Sequence, residues 1–109
     1  MATIFKNKVV KDIGTVPILA IETDANTRST IIGMSLANLT PDTIYVSVLV
    51  GDDASSEGYV LKDVMIPPNS SLRPISAGEK IILAPLNTFY VVADTDDSID
   101  AVISYVDIV

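Results

Sequence analysis

Apolar residues recur along this chain with a period of two. Ile44, Val46, Val48 and Val50 alternate with Tyr45, Ser47, Leu49 and Gly51, the spacing of a strand that turns one face inward. Near the C-terminus Ile99, Ala101, Ile103 and Tyr105 share one face, and Asp100, Val102, Ser104 and Val106 share the other. Because that second face is itself partly apolar, the last strand is expected to be covered on both sides. The same reading predicts strands over residues 4–13, 16–22, 29–39, 44–50, 59–66, 71–75, 80–83, 89–93 and 99–108. The segments between them, at 24–26, 40–42, 52–58, 67–70, 77–79, 85–87 and 94–98, are rich in Gly, Pro, Asn, Asp and Ser, whose backbone preferences favour reversal. No stretch of ten or more residues keeps a 3.6-residue period with caps, so no long helix is expected. Eight to nine short strands with turns at these intervals predict an all-β, antiparallel β-sandwich, jelly-roll-like or Ig-like. Its expected core comprises Ile32, Met34, Leu36, Val46, Val48, Val64, Ile66, Ile82, Val91, Val102 and Ile103.

Composition supports the strands: 14 Ile and 13 Val outnumber eight Leu, and β-branched side chains suit a pleated, half-buried surface. The length of 109 residues is that of one domain, residues 1–109, with no linker or internal repeat. Without cysteine, neither disulfides nor thiolate metal sites contribute. The apolar run 16–21 is short, contains Pro17 and is followed by Glu22, so a secretory signal is not expected. No run approaches the roughly 18 apolar residues of a membrane-spanning helix.

Charge adds a partner argument. The net charge of -7 has the wrong sign for phosphates or an anionic membrane surface, so neither nucleic acid nor membrane is an expected partner. Yet residues 1–11 hold Lys6, Lys8 and Lys11 with no acid, against four basic and 14 acidic residues in the remainder. Residues 1–11 therefore read either as a sheet edge blunted by lysines or as a basic arm laid on a neighbouring subunit. On the second reading Phe5, Lys6, Lys8, Val9, Val10 and Lys11 form the contact, and Asp52, Asp53, Asp96 and Asp97 face it. A hydrophobic fraction of 49% is high for a small domain with acidic loops, and its surplus belongs either in a dense core or in an interface. Tyr45, Tyr59, Tyr90 and Tyr105 are of a type enriched at interfaces and equally ordinary at a sheet edge.

Candidate chemistry is sparse. With no His and no Cys, the usual general base, thiol nucleophile and soft metal ligands are missing, so neither enzymatic activity nor a cofactor is expected. Asp94-Thr95-Asp96-Asp97 lacks the turn glycine and final Glu of a calcium loop. An alternative role is a binding module whose loops 24–28, 52–58 and 94–98 grip a carbohydrate or calcium at one end of the sandwich.

Several stretches carry a resemblance: Lys11-Asp12-Ile13-Gly14-Thr15, Thr30-Ile31-Ile32-Gly33-Met34-Ser35-Leu36-Ala37-Asn38, Val64-Met65-Ile66-Pro67-Pro68-Asn69-Ser70-Ser71-Leu72, Gly78-Glu79-Lys80-Ile81-Ile82-Leu83 and Tyr105-Val106-Asp107-Ile108. In this order, over nearly the whole chain, they resemble the small virion structural proteins of tailed bacteriophages. The resemblance implies a subunit repeated many times in the virion, decorating or cementing the capsid or forming part of a neck or tail ring. Its partners would be copies of itself and other virion proteins, assembled in the host cytoplasm. No functional residue is carried over.

Overall fold

The computed structural model describes residues 2–54, 56–75 and 80–109. Its strands are β1 (Thr3–Ile13), β2 (Ile18–Glu22), β3 (Arg28–Asn38), β4 (Ile44–Gly51), β5 (Glu57–Ile66), β6 (Ser71–Ile75), β7 (Ile81–Leu83), β8 (Thr88–Ala93) and β9 (Ile99–Ile108), and no helix occurs among the described residues. Sheet A has the order β1-β9-β3-β6, with β7 also on β3, and sheet B the order β2-β8-β4-β5. Since β6 pairs with Met34 to Ala37 and β7 with Ser29 to Ile31, the two act as one interrupted strand along β3. Counted so, the strand order is that of a jelly roll, which decides between the two sandwich topologies expected from the sequence.

Boundaries move for identifiable reasons. Pro17 has no N–H to donate, and β2 begins after it at Ile18. The strand expected to start at residue 59 begins at Glu57, which pairs with Gly51. The turn expected at residues 77–79 lies outside the described residues.

Inward alternation of both sheets builds the core, in which Ile13, Ile31, Leu36, Ile44, Val46, Val48, Ile66, Leu83, Phe89, Val91, Ile99 and Ile103 are almost wholly enclosed. Of the expected core, Met34, Leu36, Val46, Val48, Ile66, Val91 and Ile103 are buried and Val64 packs against them. Ile32, Val102 and Ile82 are exposed instead. Ile31 pairs with Tyr105 and Gly33 with Ser104, so Ile32 is the extra residue of a bulge that turns both Ile31 and Met34 inward. Val102 cannot share a face with Ile103, and Ile82 stands between the inward Ile81 and Leu83.

Buried polar residues tie the loops together at each end of the sandwich. At the end where β1 begins, the Thr23 hydroxyl donates to the Ala84 carbonyl at 2.6 Å and accepts from the Asn87 N–H at 2.8 Å, joining the β2–β3 and β7–β8 turns. At the opposite end, Asn38 Nδ2 lies 2.8 Å from the Asp42 carbonyl and 3.0 Å from that of Pro67, while its Oδ1 accepts from the Thr40 N–H and hydroxyl.

Candidate interaction surface

β1 forms the outer edge of sheet A, antiparallel to β9 along its whole length. The register sorts its side chains. Lys8 lies opposite Ile103, Lys6 opposite Tyr105 and Ile4 opposite Asp107, so these three share the inward face, while Phe5, Asn7 and Val9 share the outer one. Inward-pointing charge is a device that discourages edge pairing, which favours the blunted-edge reading of residues 1–11.

Lys6 finds its acid within its own domain. Its Nζ lies 3.0 Å from Asp107 Oδ2, and the other carboxylate oxygen of Asp107 accepts the hydroxyl of buried Ser29. The hydrogen bond and charge of Asp107 hold the Lys6 ammonium above its ordinary pKa of 10.5. Lys6, Lys8 and Ile4 face Ala20, Ile21 and Glu22 of the other sheet and Thr23 just after it across a cleft of about 720 Å³, with Ser29, Tyr105 and Asp107 on its floor and walls. Lys8 has no ion pair among the described residues.

The other expected contact residues separate. Val10 is buried in the domain's own core, since it follows the inward parity of Lys6 and Lys8 to a point where the sheets close. Phe5 at 77% and Val9 at 57% remain exposed on the outer face, and Lys11 is exposed beside the β1 bulge. Asp52 caps its own loop, accepting the N–H groups of Ala54 and Ser56, and Asp53 is exposed next to it. Asp96 accepts the Thr15 hydroxyl at 2.9 Å and Asp97 takes the left-handed turn position at φ 50°. Glycine at position 14 permits this approach, because a Cβ there would lie 3.3 Å from both Asp96 Cα and Asp97 N.

Strand direction also separates the acidic loops. Gly51 and Glu22 both pair with Thr88, which places loops 24–28 and 52–58 at one end, whereas Ala93 pairs with Val46 and sends loop 94–98 to the other. The molecule is 45 Å long. The three loops expected to grip one ligand therefore do not converge, and Asp52 and Asp53 do not share a surface with Asp96 and Asp97.

Around Phe5 and Val9 on one sheet, and across the other sheet, the structure exposes two broad apolar faces. On sheet B the row Leu19, Tyr90, Leu49, Tyr59 crosses all four strands in register, with Tyr45 beside Met65 nearby. On sheet A two such rows run, Phe5 with Val106, Thr30 and Ile82, and Val9 with Val102 and Ser35; between them lie the small side chains of Asn7, Ser104 and Gly33. The double covering expected of β9 is thus not met within one chain, since Val102 is 44% exposed. The apolar outer parity of β9 was the sequence signal for this surface. The tyrosine row was not legible, because it requires knowing which strands are neighbours.

No family model and no curated protein matches the chain. A solved structure does match its fold, from work described as "Bacillus endospore appendages form a novel family of disulfide-linked pili": TM-score 0.58, 6% identity, covering 96% of this chain and 86% of that one. At that identity the likeness is one of fold. It overturns the tailed-phage virion role, with its capsid, neck and tail placements, because the matching structure belongs to a bacterial spore pilus and nothing connects the chain to a phage. The disulfide linkage named for those pili has no counterpart here, where cysteine is absent.

Proposed function

We propose that this chain is a non-enzymatic structural subunit that associates with copies of itself into an extended, non-covalent polymer. The observation that carries the reading is the exposure of apolar side chains on both outer faces of the sandwich, among them Phe5, Val9, Ile82 and Val102 on sheet A and Leu19, Tyr45, Tyr59 and Met65 on sheet B. A monomer that stays in water rarely leaves two such faces uncovered. Closed or open symmetric assembly of repeated subunits would cover them. The fold likeness to a pilus protein is compatible with this role and supplies no partner. Sedimentation velocity over a concentration series, with electron microscopy of the largest species, tests it. Concentration-dependent growth into fibres is expected; a single monomeric species throughout the series would overturn the reading.

A further inference from the structure

Charge divides between the sheets as unevenly as it divides along the chain. Every basic residue except Lys62 lies on sheet A or directly beside it: Lys6, Lys8, Lys11, Arg28, Arg73, and Lys80 just before β7. On the outer face Lys11, Arg28 and Arg73 rim the apolar rows, with Asp12 and Asp100 at one corner. Sheet B and its own β4–β5 loop hold Glu22, Asp52, Asp53, Glu57 and Asp63, and Asp94 follows β8. Its single cation, Lys62, lies over the Tyr59 ring and 3.3 Å from Asp63.

The edges are less inviting than the faces. β1 carries inward lysines and a bulge at Lys11-Asp12. Register also shifts in β2 between Leu19 and Ile21 and in β5 around Asp63, and β6 contains Pro74. These are features that keep strand edges from pairing. The two loop ends are both acidic, one through Glu22, Asp24, Asp52 and Asp53, the other through Asp42, Asp94, Asp96 and Asp97, so stacking end on end sets like charges together.

We infer that the outer face of sheet A docks on the outer face of sheet B of a second copy, the Leu19–Tyr90–Leu49–Tyr59 row entering the hollow that Phe5, Asn7, Ile32 and Ser104 line. Pairing B with B sets acidic rims together and A with A opposes two rims of mixed charge, whereas A with B sets the Lys11, Arg28 and Arg73 side chains against an acidic rim. Four strands about 4.8 Å apart and about eight residues long present roughly 500 Å² per face, so the contact buries about 1,000 Å², near the lower bound for a specific interface. Because the surfaces differ, the contact is head-to-tail, and each copy keeps one free face for the next.

The inference rests on the polymer reading, and a pair of variants separates the two. One carries Phe5→Glu and Ile82→Glu on sheet A, the other Leu19→Glu and Tyr59→Glu on sheet B; all four side chains are exposed, and far-UV circular dichroism with thermal unfolding checks that the folds are retained. Should either variant unfold, Ser104→Arg on sheet A or Met65→Glu on sheet B replaces it. At a concentration where wild type polymerises, each variant alone should remain a monomer by light scattering, and an equimolar mixture should give a one-to-one complex of twice the monomer mass and nothing longer. Continued polymerisation of both variants would place the contact at the edges and overturn the face-to-face inference while leaving the polymer reading intact. Dimerisation of the sheet B variant by itself would overturn it in favour of an A-to-A contact. A monomeric wild type would remove both.

Discussion

The two halves of β1 belong to one strand, pair with one neighbour and keep one inward face, yet they meet different surroundings. In the second half Val10 and Ile13 both enter the core although they are three residues apart, because Asp12 at φ 55° absorbs a residue in the bulge. Three hydrogen bonds hold that bulge and the strand end closed: the Asp12 N–H to Asp100 Oδ1, the Ser98 N–H to the Ile13 carbonyl and the Ala93 N–H to the Gly14 carbonyl. In the first half the inward positions are Ile4, Lys6 and Lys8, and the sheets stand apart around the cleft. Pairing within a sheet does not set how closely two sheets approach; the inward side chains do. Small Ala20 and two ammonium groups, which need water or carboxylate around them, cannot fill the space that Ile13 and Ile99 fill at the other end.

The largest expected effect lies in the closed half. Ile13→Ala should lower unfolding free energy by about 2–5 kcal/mol in denaturant titration, the range for a large-to-small change in a packed core. A loss below about 1 kcal/mol would mean that the bulge does not close the sandwich and that the two halves are alike. In the open half, Asp107→Ala strips the Ser29 hydroxyl of its acceptor and should lower stability by about 1–3 kcal/mol, with Asp107→Asn losing less because an acceptor remains. Equal losses for both would show that the ion pair, rather than the buried hydroxyl, dominates there.

A pH series sharpens the contrast further. Lys6 has a raised pKa in the folded state, so its contribution is fully present below the ordinary value of 10.5 and disappears as pH rises through the folded value. Thermal unfolding followed from pH 9 upward should show a steeper decline for wild type than for Lys6→Met; identical slopes would mean that the ion pair with Asp107 does not persist in solution. Smallest of all should be Lys8→Leu, whose ammonium has no ion pair among the described residues. Its effect on unfolding free energy should stay within about 0.5 kcal/mol, and a loss beyond 1 kcal/mol would indicate that the cleft is ordered around that charge.

How far the chain could be read in advance differs by feature. Alternation in residues 44–50 and 99–108 was enough to place β4 and β9, because the two-residue period belongs to the backbone itself. Alternation alone turns Ile32 inward because it carries no sign of a bulge, which appears only when β3 and β9 are laid side by side. The lysines of residues 1–11 were legible as unusual, but their carboxylate partner is Asp107, about a hundred residues away in sequence and adjacent only through the β1–β9 pairing. Likewise the acidic loops, similar in composition, part to opposite ends because β4 and β8 run antiparallel.

Local chemistry alone therefore determined that the chain forms short strands joined by polar turns, that it carries no thiol or imidazole, and that its apolar fraction is high for a small domain with acidic loops. Those properties depend on single residues and their nearest neighbours. Tertiary structure decided the jelly-roll order, the orientation of Lys6 and Lys8 toward the cleft, the alignment of Leu19, Tyr90, Leu49 and Tyr59 into one row and the sorting of cations onto sheet A. Each of these is a relation between residues brought together by strand pairing over long sequence distances, and the register that creates it is selected by the packing of the whole core.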